Sequence, residues 1–130
     1  MTHRRILIAD DEPAIAISLQ FLFGNAGFET QIARDGLEAL RIAGDFAPHL
    51  IVLDLMLPRL SGIEVCRALR ADPQYAGIKV LMLTARGGTA DFAGGQAAGV
   101  DAYQVKPFST KELLALVQRL LDTGECPDVH

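Results

Sequence analysis

Long hydrophobic runs are missing from this chain. Stretches such as Leu50–Leu53 are far too short to cross a bilayer as a helix, which argues against membrane insertion. The N-terminus, Met1-Thr2-His3-Arg4-Arg5, leads directly into Ile6-Leu7-Ile8-Ala9. That run is too short for a signal-peptide core and is followed by acids, so no secretion signal is expected and the location is read as cytoplasmic. Clusters of Lys and Arg are also missing, and the formal net charge is −4. Without a basic patch, direct nucleic-acid binding is not expected. Cysteine is scarce: Cys66 and Cys126 have neither metal-site nor disulfide-framework spacing and read as two free thiols of a cytosolic protein. Neither a G-x-x-x-x-G-K-[ST] loop nor a G-x-G-x-x-G turn follows the first apolar run, which removes the usual nucleotide cradles. There is no solenoid repeat and no low-complexity tract.

What is present points to one domain. A chain of 130 residues has room for little more. Half of the residues are hydrophobic, enough for a substantial core at this size. We read residues 1–122 as the domain and 123–130 as a polar, flexible tail containing Gly124 and Pro127. Ile6–Ala9, Leu50–Leu53, Val80–Leu83 and the weaker Ala102–Val105 are nearly continuous apolar runs, the pattern of strands buried on both faces of a parallel sheet. A further strand fits Phe28–Ala33. Helical patterns lie between. Ile15, Leu19 and Leu22 recur at helix spacing, with Ile17 and Phe21 widening the face. Pro13 opens that helix and Gly27 lies past its end. Asp35 is placed to cap a helix over Leu37–Gly44. Ser61-Gly62-Ile63-Glu64 and Ser109-Thr110-Lys111-Glu112 have capping-box spacing and open helices through Ala71 and over Lys111–Leu121, the latter with Leu113, Leu116 and Leu120 inward. A fourth helix, over residues 87–99, is weak: Gly94 and Gly95 inside it each cost about 1 kcal/mol relative to Ala. Strand–helix alternation repeated five times predicts an α/β, doubly wound parallel sheet with right-handed crossovers.

In an open parallel sheet, ligands bind beyond the carboxyl ends of the strands. After the first strand come Asp10 and Asp11; Asp54, Thr84 and Lys106 follow the others. Each has an ordinary reading by itself: a solvated N-cap, a strand end, a strand residue, a turn. Their recurrence at one place in successive β-α units predicts that three carboxylates, a hydroxyl and an ammonium converge in one crevice. Clustered carboxylates repel one another without a cation. An all-oxygen, partly water-filled donor set favours Mg²⁺. One carboxylate could then attack phosphorus as a nucleophile, with Lys106 and Thr84 meeting the phosphoryl oxygens.

With these residues in place, the chain resembles a response-regulator receiver domain of two-component signalling over roughly Arg5–Leu121. The resemblance is carried by Asp10-Asp11, by Asp54-Leu55-Met56-Leu57-Pro58 followed by Ser61-Gly62, by Thr84-Ala85, and by Asp101-Ala102-Tyr103-Gln104-Val105-Lys106-Pro107-Phe108. It implies a flavodoxin-like strand order 2-1-3-4-5. It implies that Asp54 accepts the phosphoryl group, and that Asp11, Asp54 and the Met56 backbone carbonyl hold Mg²⁺, with Asp10 contributing chiefly through water. It further implies that Thr84 and Lys106 hold phosphoryl oxygens, that a cis peptide bond precedes Pro107, and that Tyr103 and Thr84 form a switch. The donor would be a histidine kinase or a histidine phosphotransfer protein, docking near Ile15, Pro107 and Phe108. The output would be a face formed by the fourth helix, the last strand and the last helix, read by a downstream protein or by an attached domain. Such a protein promotes its own phosphoryl transfer and dephosphorylation rather than acting as an enzyme.

Some positions depart from related DNA-binding regulators of the winged-helix class, which carry a charged dimer face. Ala102 and Leu116 stand where an acid and an arginine are expected, and Phe92 where a basic residue is expected. An apolar partner surface from Phe92, Ala102 and Leu116 is the corresponding expectation. Met56 and Arg86 lie two residues beyond Asp54 and Thr84; the resemblance implies that side chains at these positions flank the phosphoryl group, and a long Met and a long Arg there predict slow dephosphorylation. Two other readings stay open: a receiver-like module that binds partners without phosphate, and a small Asp-dependent phosphohydrolase of the haloacid dehalogenase type. The latter lacks its second acid, since Met56 lies two residues after Asp54.

Overall fold

The computed structural model describes residues 4–84, 99–106 and 108–123. Five strands form one parallel sheet: β1 (Arg5–Ala9), β2 (Glu29–Ala33), β3 (Leu50–Asp54), β4 (Lys79–Thr84) and β5 (Ala102–Val105). Their order across the sheet is β2-β1-β3-β4-β5. Four helices are described: α1 (Pro13–Asn25), α2 (Gly36–Phe46), α3 (Gly62–Ala71) and the last helix, α4 (Thr110–Thr123). This is the flavodoxin-like (βα) architecture expected from the alternation of apolar runs. The glycine-rich helix expected over 87–99, with Phe92, lies almost wholly outside the described residues, as do Cys126 and the rest of the tail from residue 124.

The pleat of the central strands divides the core. Leu7, Ala9, Ile51, Leu53, Val80 and Met82 face α2 and α3. Their alternates Ile6, Ile8, Leu50, Val52, Leu81 and Leu83 face α1 and α4. Both sets are fully buried, which is why these strands read as continuous rather than alternating runs. Helix starts follow local chemistry. Asp35 Oδ1 accepts the Glu38 N–H at 2.7 Å, and Ser61 and Glu64 form a complete capping box. Ser109 Oγ accepts the Glu112 N–H at 3.3 Å. Gly27 ends α1 at φ +95°, a left-handed conformation that glycine adopts without strain.

Three packing expectations need correction. In α1 the buried residues are Ala16, Leu19 and Phe23, whereas Ile17 and Phe21 are exposed. The helix is apolar nearly all round, so spacing alone could not select its inward face. In α4, Val117 joins Leu113 and Leu120 inside, and Leu116 is only partly buried. Ala102 is buried in the sheet, which removes it from any partner surface. No helix among the described residues is long and apolar enough to cross a membrane.

Candidate functional site: an acidic pocket at the carboxyl edge of the sheet

The parallel strands all deliver their carboxyl ends to one edge. Asp10 follows β1, Asp54 closes β3, Thr84 closes β4 and Lys106 follows β5. All three of Asp10, Asp54 and Thr84 are buried. The backbone is tied together here as well: the Leu55 N–H donates to Leu83 O at 2.9 Å, and the Lys106 N–H to Thr84 O at 2.7 Å. The loop after β3 turns sharply under α3, where the Gly62 N–H donates to Leu55 O at 2.9 Å. A Cβ on Gly62 would lie 2.6 Å from Asp54 O and 2.8 Å from Met82 Sδ, so this turn demands glycine.

Lys106 is the centre of the charge arrangement. Its ammonium lies 3.3 Å from Asp10 Oδ2, 3.3 Å from Asp54 Oδ2 and 3.5 Å from Glu12 Oε1. Burial alone would push Lys106 down, but the negative charges of Asp54 and Asp10 outweigh it and hold the ammonium above its usual range. Burial raises the Asp10 carboxyl. The charge of Asp54 adds to the rise, while the Glu12 N–H and Lys106 oppose it. Asp10 Oδ1 accepts the Glu12 N–H at 2.9 Å, and Asp54 Oδ1 accepts the Met56 N–H at 3.1 Å. Each carboxylate thus has one oxygen fixed by backbone and one turned to Lys106.

Of the residues singled out in the sequence, Asp10, Asp54 and Lys106 come into direct contact, and Thr84 lies at the same edge. Asp11 is exposed, and the Met56 side chain is 74% exposed. Tyr103 is partly buried against the α2–α3 core, beside Met82 across the β4–β5 pairing. Arg86 and Pro107 lie outside the described residues. Glu12 is the group that sequence reasoning missed. Asp10, Glu12 and Asp54 each bring a ligating oxygen within 4.8 Å of the others, whereas Asp11 is not in that group. The signal available in the sequence is only that Glu12 is the third acid of the unbroken run Asp10-Asp11-Glu12. An all-carboxylate set of this spacing suits a small hard cation such as Mg²⁺.

The fold and this pocket define a class: a doubly wound signalling domain with buried acids and one lysine at the strand ends. The family model of the response regulator receiver domain matches residues 6–118, and the chain belongs to that family. It is 43% identical over 122 residues to the DNA-binding response regulator MtrA of Mycolicibacterium smegmatis, covering 94% of this chain and 52% of MtrA. The chain therefore spans about half the length of the curated relatives it matches. Among solved structures it resembles the chemotaxis protein CheY4 of Vibrio cholerae, with a TM-score of 0.88, 32% identity, and coverage of 92% of this chain and 100% of that one. It also resembles the receiver domain of the sensor histidine kinase PA1611 of Pseudomonas aeruginosa, solved with a magnesium ion coordinated in its active-site cleft. That match has a TM-score of 0.84 at 28% identity and covers 92% of this chain and 98% of the other.

Proposed function

We propose that this receiver domain is switched by phosphorylation of Asp54. The observation that carries the reading is the Lys106 ammonium, poised 3.3 Å from both Asp54 and Asp10 in a buried acid pocket. In the reaction, the Asp54 oxygen not held by the Met56 N–H forms a bond to phosphorus. The phosphorus–nitrogen bond of a phosphohistidine breaks, and its electron pair leaves with the imidazole. Lys106 moves from carboxylate to phosphoryl oxygen, and the Thr84 hydroxyl meets another. Bound Mg²⁺ supplies the positive charge that lets a phosphoryl group approach these acids. The residues that would hold it are Asp54 and Asp10, with Glu12 on the exposed rim of the same cluster and Asp11 and the Met56 carbonyl as further oxygens from the family resemblance.

The donor is a histidine kinase or histidine phosphotransfer protein, met in the cytoplasm. The mouth of the site supports this: Ile15, Leu19 and Phe108 line a cavity of about 530 Å³ beside Lys106. Movement of Thr84 and Tyr103 transmits the change to the β5–α4 face, which a downstream protein or an attached output domain reads. The exposed Met56 shields the acyl phosphate, and the phosphorylated form outlasts seconds. The domain promotes its own phosphoryl transfer and loss and acts on no separate substrate.

The test is intact mass after incubation with acetyl phosphate, with and without Mg²⁺. A Mg²⁺-dependent gain of one phosphoryl group, lost in Asp54→Ala, is expected. No gain from acetyl phosphate or from phosphohistidine donors, in folded protein, refutes the reading in favour of a phosphate-independent module.

A further inference from the structure

Glu12 occupies the N-cap position of α1, yet its side chain makes no capping hydrogen bond. Its backbone is held instead. The Glu12 N–H donates to Asp10 Oδ1 at 2.9 Å, the Glu12 carbonyl accepts the Ala16 N–H at 3.0 Å, and Pro13 follows at the helix start. The carboxylate reaches across the site to Lys106 Nζ at 3.5 Å. The Asp10 and Asp54 side chains are 0% and 7% exposed, but that of Glu12 is 60% exposed. Glu12 also lines the cavity of about 530 Å³ that opens beside the acid pocket, together with Lys106 and Phe108. A donor bringing phosphorus to Asp54 from that cavity therefore passes a negative charge on the rim. Lys106, which faces this charge, is already shared with Asp10 and Asp54.

We propose that Glu12 sets donor preference, disfavouring small anionic phosphodonors relative to a phosphohistidine presented by a protein whose own cationic side chains meet the rim. The inference rests on phosphorylation of Asp54 as proposed above. Two small donors separate the charge effect from the chemistry. With acetyl phosphate, an Asp54 oxygen bonds to phosphorus as the phosphorus–oxygen bond breaks and acetate leaves with the electron pair. With phosphoramidate, the phosphorus–nitrogen bond breaks, and the nitrogen leaves as ammonia. Near neutral pH acetyl phosphate is a dianion, and phosphoramidate carries a net single negative charge. Repulsion by Glu12 therefore acts more strongly on acetyl phosphate, by roughly threefold to tenfold in rate for the extra charge at this range.

The experiment follows phosphorylation rates by intact mass at fixed Mg²⁺ and low ionic strength, for the wild type, Glu12→Gln and Glu12→Asp. Glu12→Gln is expected to raise the acetyl phosphate-to-phosphoramidate rate ratio about threefold or more, with the gain fading at high salt as charges are screened. Glu12→Asp keeps the wild-type ratio. The fixed Mg²⁺ is set by calorimetry to saturate every variant, because loss of the Glu12 charge weakens the attraction of a dication as well as easing the repulsion of the donor. An unchanged ratio in Glu12→Gln overturns the proposal. So does an equal fall of both rates in Glu12→Gln at saturating Mg²⁺, which would give Glu12 a part in the chemistry common to both donors and none in discriminating between them. Either result leaves phosphorylation of Asp54 standing, whereas a wild type that gains no phosphoryl group from any donor refutes both.

Discussion

Single residues at the two edges of the sheet do different work. At the carboxyl edge, Lys106 offsets buried acids. At the opposite edge, His49 joins β1 to β3: its Nδ1 accepts the Arg5 backbone N–H at 3.0 Å, and the His49 backbone N–H donates to Arg5 O at 2.8 Å. Burial, then the charges of Arg5 and Arg4, hold the imidazole below its usual range. Protonation at Nδ1 would destroy the acceptor. Because the folded value lies below the unfolded one, the unfolded chain binds more protons in the window between them. The stability His49 contributes is full above pH ~6.5 and is lost as pH falls through the folded value. Urea denaturation at neutral and mildly acidic pH checks this: His49→Asn is expected to show a weaker pH dependence than the wild type, and equal dependence would assign it to other groups. Asp10, Asp54, Thr84 and Lys106 were legible in the sequence because each ends an apolar run. The roles of His49 and Glu12 were not, because neither residue closes an apolar run and their partners lie 44 and 94 residues away in the chain.

Among the elements, α3 and α1 show how far pattern carries. The capping box that opens α3 was readable, but not the role of Arg70 at its end. That guanidinium donates to Gly99 O at 2.9 Å, Ala76 O at 2.8 Å and Ile78 O at 2.7 Å, and pairs with Asp101 at 2.7 Å. Asp101 also accepts the Val80 N–H at 2.7 Å, so the beginnings of β4 and β5 are latched to α3. Arg70→Ala is expected to lower stability by roughly 2–4 kcal/mol in urea titration, and Arg70→Lys to recover little, since an ammonium cannot span four acceptors. A loss below about 0.5 kcal/mol would show that the latch carries no weight. In α1, Leu19→Ala removes a buried side chain and should cost about 2–4 kcal/mol. Ile17→Glu and Phe21→Glu alter exposed positions and should stay within about 0.5 kcal/mol of the wild type. If the donor protein docks on α1, these two variants slow phosphotransfer from it while leaving acetyl phosphate phosphorylation intact. Equal slowing with both donors would count against that docking face.

At the scale of the whole molecule, the acids of the pocket come from the ends of β1 and β3, so a cation bound there ties together two strands that are distant in sequence. A ligand that binds only the folded state stabilises it by mass action, about 2.7 kcal/mol at a hundredfold excess over Kd. Thermal unfolding of the wild type is expected to shift upward on adding Mg²⁺ and to fall back with a chelator, with a much smaller shift in Asp54→Ala. Identical shifts in both proteins would place the cation elsewhere. Among the described residues the parallel sheet is covered by helices on both faces, and its central strands are fully buried.

By itself the sequence determined the strand runs, the helix starts, the doubly wound class and the polar residues at the strand ends. These rest on local signals: apolar run length, caps, and the step from apolar to charged at the end of a run. Only the tertiary structure decided which face of α1 is buried, that Ala102 lies inside, that Glu12 rather than Asp11 joins Asp10 and Asp54 around Lys106, and that Arg70 latches two strands. Each of those depends on which atoms meet across long stretches of chain. Periodicity is silent on that, because a helix apolar all round presents no preferred face, and a run of acids gives no sign of which carboxylate turns inward.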